Sequence, residues 1–103
     1  MNTLEKLAQT IAARRDAEPE SSWTAKLLAK GPEKCAEKFG EEAIEAIIAA
    51  AKGDKANLTA EAADVLYHLL VMLEACEVPL RTVLDELERR EGTSGIAEKA
   101  ARG

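Results

Sequence analysis

Aromatic residues make up only 3% of this 103-residue chain, one each of Trp, Tyr and Phe, and only three prolines interrupt it. With so few aromatics and almost no alternation of β-branched residues, a sheet-built fold is excluded. Two cysteines, Cys35 and Cys76, lie forty-one residues apart among apolar neighbours. That pattern excludes a disulfide framework or a CxxC metal site and leaves both as small core hydrophobes of a reducing, cytoplasmic protein. Positive charge is also short, 14 Lys and Arg against 19 Asp and Glu for a formal charge of -5. The chain as a whole is therefore not drawn to nucleic acid or to an anionic membrane. No apolar run approaches the roughly 18 residues of a spanning helix, and the opening MNTLEKLAQT lacks the basic and apolar regions of a secretory signal.

What is abundant is alanine, leucine and glutamate, in a chain that is 47% hydrophobic, and this predicts one all-α domain over residues 1–103. A helical bundle of about five helices is expected. The first runs from about Thr3 to Arg15, with Asn2 and Glu5 spaced as a capping box. The polar run DAEPESS breaks it, and a short helix from Trp23 to Lys30 follows Ser21 or Ser22 as cap. Gly31-Pro32 ends that helix and starts a third, about Glu33 to Lys52, on which Ile44, Ile47, Ile48 and Ala51 recur as a buried stripe. Gly53 closes it, Asp54 caps a fourth helix reaching about Cys76, and Pro79 opens a fifth, about Leu80 to Arg90. The short break at Gly53 makes the third and fourth helices long antiparallel neighbours at the centre of the molecule.

On the fourth helix Leu58, Ala62, Val65, Leu66, Leu69, Leu70 and Leu73 leave little of the circumference polar, the mark of a buried helix. Three shorter helices do not cover that much apolar surface. A homodimer whose central bundle is drawn from both chains is therefore expected.

Two groups of acids interrupt these helices. Glu41, Glu42 and Glu45 crowd one shoulder of the third, where like charges four residues apart repel by a few tenths of a kcal/mol per pair. On the fourth, Asn57, Glu61, Asp64 and His68 form a narrow stripe at intervals of four, three and four. Glu45 lies eight residues before Gly53 and Glu61 eight after it, so a hairpin brings the two groups level. Buried carboxylates without partners cost several kcal/mol each. A hard divalent cation makes such a nest favourable: magnesium, with manganese able to substitute, since both take carboxylate oxygens and keep waters that a phosphate displaces. The other account makes the first three acids a solvated face and pairs Glu61 and Asp64 with Lys or Arg of a neighbouring helix. Spacing alone leaves both accounts standing.

EExxE at Glu41 to Glu45, followed by ExxD at Glu61 to Asp64, resembles the metal-binding signature of the all-α MazG-like nucleoside triphosphate pyrophosphohydrolases. Across most of the chain, SSWTAKLLAKGPEKCAEKFGEEAIEAIIAA, EAADVLYHLLVML, VLDELERR and SGIAEKAAR resemble the phosphoribosyl-ATP pyrophosphohydrolase family, which acts second in histidine biosynthesis. The acids point only to the superfamily; TAKLLAKGPEK and SGIAEK carry the narrower likeness. The resemblance implies hydrolysis of phosphoribosyl-ATP to phosphoribosyl-AMP and pyrophosphate in a protein that is dimeric or larger. It also implies magnesium held by Glu42, Glu45, Glu61 and Asp64, with Glu41 as a further ligand or a water-orienting base. In some organisms the domain is fused to the cyclohydrolase of the next step; nothing here matches that partner's zinc cysteines, and a stand-alone form is expected.

Cleaving the α,β-phosphoanhydride needs a water in line with the leaving pyrophosphate, and Glu41 or Glu42 is the carboxylate expected to align or deprotonate it. In an acidic chain the phosphates need local cations. Lys30, Lys34 and Lys38 recur every fourth residue and are the candidates, with pairing to nearby Glu and ordinary solubility as the competing explanation. In the basic tail, Ser94, Gly95 and Lys99 form a second phosphate-binding candidate, against a frayed end. His68 is read as a supporting or packing residue because magnesium prefers oxygen. Trp23 is read as core, with stacking on a base as the alternative. Two further functions stay open, a broader nucleotide pyrophosphohydrolase of the same fold and a non-catalytic helical interaction module.

Overall fold

The computed structural model describes residues 2–91, and the chain is all-α, with five α-helices, one 3-10 turn and no strand among the described residues. α1 (Thr3–Ala13) begins where Asn2 Oδ1 accepts from the Glu5 amide at 2.8 Å, the link that the capping spacing predicts. It ends two residues short of Arg15. The segment that breaks it holds a 3-10 turn (Pro19–Ser21), after which Ser22 caps α2 (Trp23–Ala29), its Oγ accepting from the Ala25 amide at 3.1 Å. Gly31 turns the chain at φ 93°, a conformation open to glycine, and Pro32 follows as the first residue of α3 (Pro32–Lys52).

The turn between the two long helices uses Asp54 on both sides. Gly53, left-handed at φ 71°, stops α3, and the Asp54 amide donates back to the Ala49 carbonyl at 3.2 Å. The Asp54 carboxylate then accepts from the Asn57 amide at 3.0 Å and starts α4 (Lys55–Ala75). So short a connection folds α3 and α4 into an antiparallel hairpin. Each has 21 residues, and they pack against one another more extensively than any other pair of helices. α4 closes on a similar turn without glycine. Glu77 takes φ 60° and the Val78 amide donates to the Leu73 carbonyl at 2.9 Å, which costs about 1 kcal/mol for a residue with a Cβ. Pro79 follows, and α5 (Leu80–Glu91) completes the described chain.

α1 and α2 both lie against α4, and the core they make contains Ile11, Leu27, Cys35, Leu70 and Val71. Full burial of one such aliphatic side chain contributes about 1.5–3 kcal/mol. Arg15 fastens the loop after α1 to the end of α4, its guanidinium meeting the Glu74 carboxylate at 2.8 Å and donating also to the Glu74 carbonyl. This core occupies the half of the hairpin remote from Gly53, and its position changes three expectations.

The stripe on α3 is not buried within one chain: Ile44, Ile47 and Ile48 are 58%, 65% and 48% exposed, and Leu66 on the facing half of α4 is 43% exposed. α1 and α2 are used up on the far half, so no described helix covers this one. Trp23 is 53% exposed and is not core, because it stands at the very start of α2 while Ala25 and Leu27 take the buried positions. Of the two free cysteines only Cys35 is core, its thiol donating to the Leu27 carbonyl at 3.2 Å; Cys76 lies past the last turn of α4 and is exposed. None of the described helices is long and apolar enough to cross a membrane.

Candidate active site

The hairpin sets Glu42 and Glu45, one helical turn apart on α3, opposite Glu61 on α4. Each offers a carboxylate oxygen, and the three lie within 4.8 Å of one another. Glu61 Oε2 is fully enclosed and has no hydrogen-bonding partner among the described residues. None of the three carboxylates forms an ion pair among the described residues. Lys38, the nearest cation along the helix, is held by Glu41 at 3.2 Å, and the hydrogen bond it donates to that carboxylate raises its pKa.

Crowding without cations is visible in the protonation equilibria. Burial, then the hydrogen bond and charge of Glu45, push the Glu61 carboxyl above the usual carboxylate range, and Asp64 and Glu42 add to it. Glu42 is raised as well, by burial first and then by Glu45, while His68 pulls it the other way. Such a set of hard oxygens, one of them buried and unmatched, suits a divalent cation such as magnesium better than it suits itself.

The remaining acids stand at the rim. Glu41 is exposed and paired to Lys38; Asp64 is exposed and lies outside the close trio, although its charge raises both Glu42 and Glu61. Among the lysines, Lys30 sits exposed at the C-terminal cap of α2 and Lys34 reaches Glu37 at 3.3 Å. Both ion pairs join residues three apart on α3, the pairing to nearby Glu that competes with a role in substrate binding. Ser94, Gly95 and Lys99 lie outside the described residues.

Two features of this region were not assembled from spacing. His68 is buried, 7% exposed, and donates from Nδ1 to the Asp64 carbonyl at 2.8 Å, while its Nε2 meets no partner among the described residues. Its place at the end of the Glu61–Asp64 stripe was a readable signal, but the fate of each nitrogen was not. Beside it the Tyr67 ring stands edge-on at 4.9 Å, and the Tyr67 and Thr24 hydroxyls meet at 2.5 Å, joining α4 to α2. No sequence pattern links residues 24 and 67. Two grooves, of about 270 and 290 Å³, open elsewhere, one bordered by Glu5, Gln9, Leu80 and Arg81, the other by Arg15, Glu77 and Val78; no acid of the trio lines either.

Residues 4–91 match the family model described as phosphoribosyl-ATP pyrophosphohydrolase. The chain is 73% identical over 103 residues to the phosphoribosyl-ATP pyrophosphatase of Cereibacter sphaeroides, with 100% of both chains covered. Identity to the protein of the same name from Rhodobacter capsulatus is 74% over 103 residues, again covering both chains in full. For that of Dinoroseobacter shibae it is 74% over 102 residues, 99% of this chain and 100% of the relative. The matched span runs from α1 to the end of α5 and includes every acid of the hairpin. The chain belongs to the phosphoribosyl-ATP pyrophosphohydrolase family.

Proposed function

We propose that this chain hydrolyses the α,β-phosphoanhydride of phosphoribosyl-ATP, giving phosphoribosyl-AMP and pyrophosphate, the second step of histidine biosynthesis, and that it does so with magnesium. The observation that carries the metal reading is the close trio Glu42, Glu45 and Glu61, whose oxygens converge within 4.8 Å with no cation paired to them among the described residues. Family membership supports the substrate.

In this reading Glu42, Glu45 and Glu61 hold the ion and Asp64 joins them from the rim, with manganese as a substitute. The ion supplies positive charge against the phosphate oxygens as pyrophosphate leaves. The protein's own part is positioning. Glu41, exposed and outside the trio, would accept a hydrogen bond from the attacking water and take its proton once Lys38 turns to substrate; Glu42 is the alternative if it is not fully engaged. Lys38, Lys34 and Lys30 lie along the approach from α2 to the acids, and exchange of Glu41 and Glu37 for phosphate oxygens would turn the first two toward substrate. Ser94, Gly95 and Lys99 remain phosphate-binding candidates from the tail.

The direct test is pyrophosphate release from phosphoribosyl-ATP, ATP and dCTP, each with and without magnesium. Release from phosphoribosyl-ATP alone, and only with metal, is expected. Release from the ordinary triphosphates would make this a broader pyrophosphohydrolase, and no release from any would leave a helical interaction module.

The active form is a homodimer. Ile44, Ile47, Ile48 and Leu66 form an apolar surface on the uncovered half of the hairpin, and a second copy of the same hairpin covers it with like residues. Ile47→Asp places a charge at the most exposed of these positions. Sedimentation should then show a monomer where the parent chain is a dimer.

A further inference from the structure

His68 carries a second hydrogen-bonding group that the account above leaves unused. Its Nδ1 lies 2.8 Å from the main-chain carbonyl of Asp64. A carbonyl oxygen only accepts, so Nδ1 must hold the hydrogen. In the neutral ring Nε2 is then left with its lone pair, as an acceptor. That nitrogen belongs to a side chain only 7% exposed, has no partner among the described residues, and sits on a ring close enough to Glu42 to act on its carboxylate. Tyr67 braces the ring edge-on at 4.9 Å, and Thr24 in turn holds the Tyr67 hydroxyl, so the imidazole is fixed from two sides.

The chemistry around Nε2 is one-sided. Glu42, Glu45, Glu61 and Asp64 as carboxylates can only accept, and so can Nε2. Acceptors cannot satisfy acceptors. What complements them all is a cation together with water, whose two hydrogens bridge a pair of acceptors while its oxygen faces the positive charge. An uncharged acceptor among carboxylates adds direction without adding to the repulsion of the nest.

We propose that His68 is a positioning residue of the acidic nest: its buried Nε2 accepts a hydrogen bond from a water shared with Glu42, and so fixes both the water and that carboxylate for magnesium. This rests on the metal reading given above. It differs from a packing role because it assigns the two ring nitrogens separate tasks, one in holding the ring and one in serving the site.

The experiment uses the full-length protein and magnesium alone. Nitrogen-resolved NMR of the His68 ring in the parent chain should show the hydrogen on Nδ1, and titration with magnesium should shift the Nε2 resonance more than that of Nδ1. Calorimetric titration should show magnesium bound about tenfold or more weakly by His68→Phe, which keeps the ring volume and removes both nitrogens, with most of the loss recovered in His68→Gln, whose amide oxygen can accept. The melting temperature of metal-free His68→Phe should not fall in step, since the substitution also removes a buried unmatched nitrogen. A hydrogen found on Nε2 would overturn the proposal. So would an Nε2 resonance indifferent to bound magnesium, or equal magnesium affinity in His68→Phe and the parent. If His68→Phe does not fold, the parent NMR decides. If the parent itself binds no magnesium, the metal reading fails and this one with it, whereas normal binding with an idle His68 removes this one alone.

Discussion

Acids gather at two places in this molecule, and their surroundings are opposite. On α5, Glu86 receives the guanidinium of Arg89 at 2.7 Å and that of Arg90 at 2.9 Å, while Arg81 reaches Asp85 at 3.0 Å and Glu88 at 3.1 Å. Hydrogen bonds from Arg89 and then Arg90 draw the Glu86 carboxyl down to about 2. In the hairpin, Glu42, Glu45 and Glu61 converge with no cation paired to them among the described residues, and burial and mutual repulsion push Glu42 and Glu61 up. One cluster carries its counter-charge on its own helix, within seven residues. The other has no ion pair among the described residues, Lys38 being taken by Glu41, and the chain keeps the arrangement at the level of its two largest helices. Acids balanced internally are ordinary surface; acids left unbalanced on a rigid frame mark a place for something that is not protein.

The sharpest way to break this comparison is to neutralise one acid of each kind. Glu61→Gln removes a carboxylate from the trio and should reduce magnesium-dependent turnover by at least about a hundredfold, with the helical circular dichroism kept. Glu86→Gln should leave turnover within about twofold, because its partners are arginines of its own helix. Steady-state kinetics on the two variants decide the matter: equal losses would mean that both clusters merely shape the fold, and full activity in Glu61→Gln would remove the metal site.

A second test needs no substrate. A ligand that binds only the folded state stabilises it by about 2.7 kcal/mol at a hundred times its Kd. Magnesium should therefore raise the melting temperature of the parent chain, and the rise should vanish in Glu61→Gln and persist in Glu86→Gln. Without metal the order reverses within the nest: Glu45→Gln relieves the two neighbours that Glu45 raises, so that variant should melt a few degrees above the metal-free parent.

Much of this contrast was legible in the sequence. Asn2, Ser22, Gly31-Pro32, Gly53 and Asp54 are local signals whose meaning depends on neighbours within a few residues, and the helix limits follow from them to within two residues. The facing of Glu45 and Glu61 was legible too, because a tight turn converts distance along the chain into height along a hairpin. Burial was not. Periodicity identifies an apolar face but not what covers it, and so the isoleucine stripe, Trp23 and Cys76 came out exposed. Pairings such as Thr24 with Tyr67, or Arg15 with Glu74, join residues that no helical period relates. Which acid holds back at the rim, Asp64 or Glu41, is likewise set by side-chain reach, to which spacing is blind.

The smallest effect expected is in the pH dependence of stability, and its value lies in the sign. Glu86 is lowered from 4.5 to about 2. Between those values the unfolded chain binds the proton and the folded one does not, so its contribution is present above pH 4.5 and is lost as pH falls toward 2. Glu42 and Glu61 are raised from 4.5, so above that value the folded state holds the extra protons and stability declines as pH rises through their folded pKa values. Metal-free protein should accordingly lose stability in both directions from about pH 4.5. Denaturant melts across the range would separate the limbs. Glu86→Gln should flatten only the acid side, by little because the group is exposed. Glu61→Gln should flatten only the side toward neutrality, and magnesium should do the same in the parent chain by replacing protons as the partner of the acids. An upper limb that ignores both would mean that the hairpin acids are as well solvated as those of α5, and the contrast between the two clusters would be one of geometry alone.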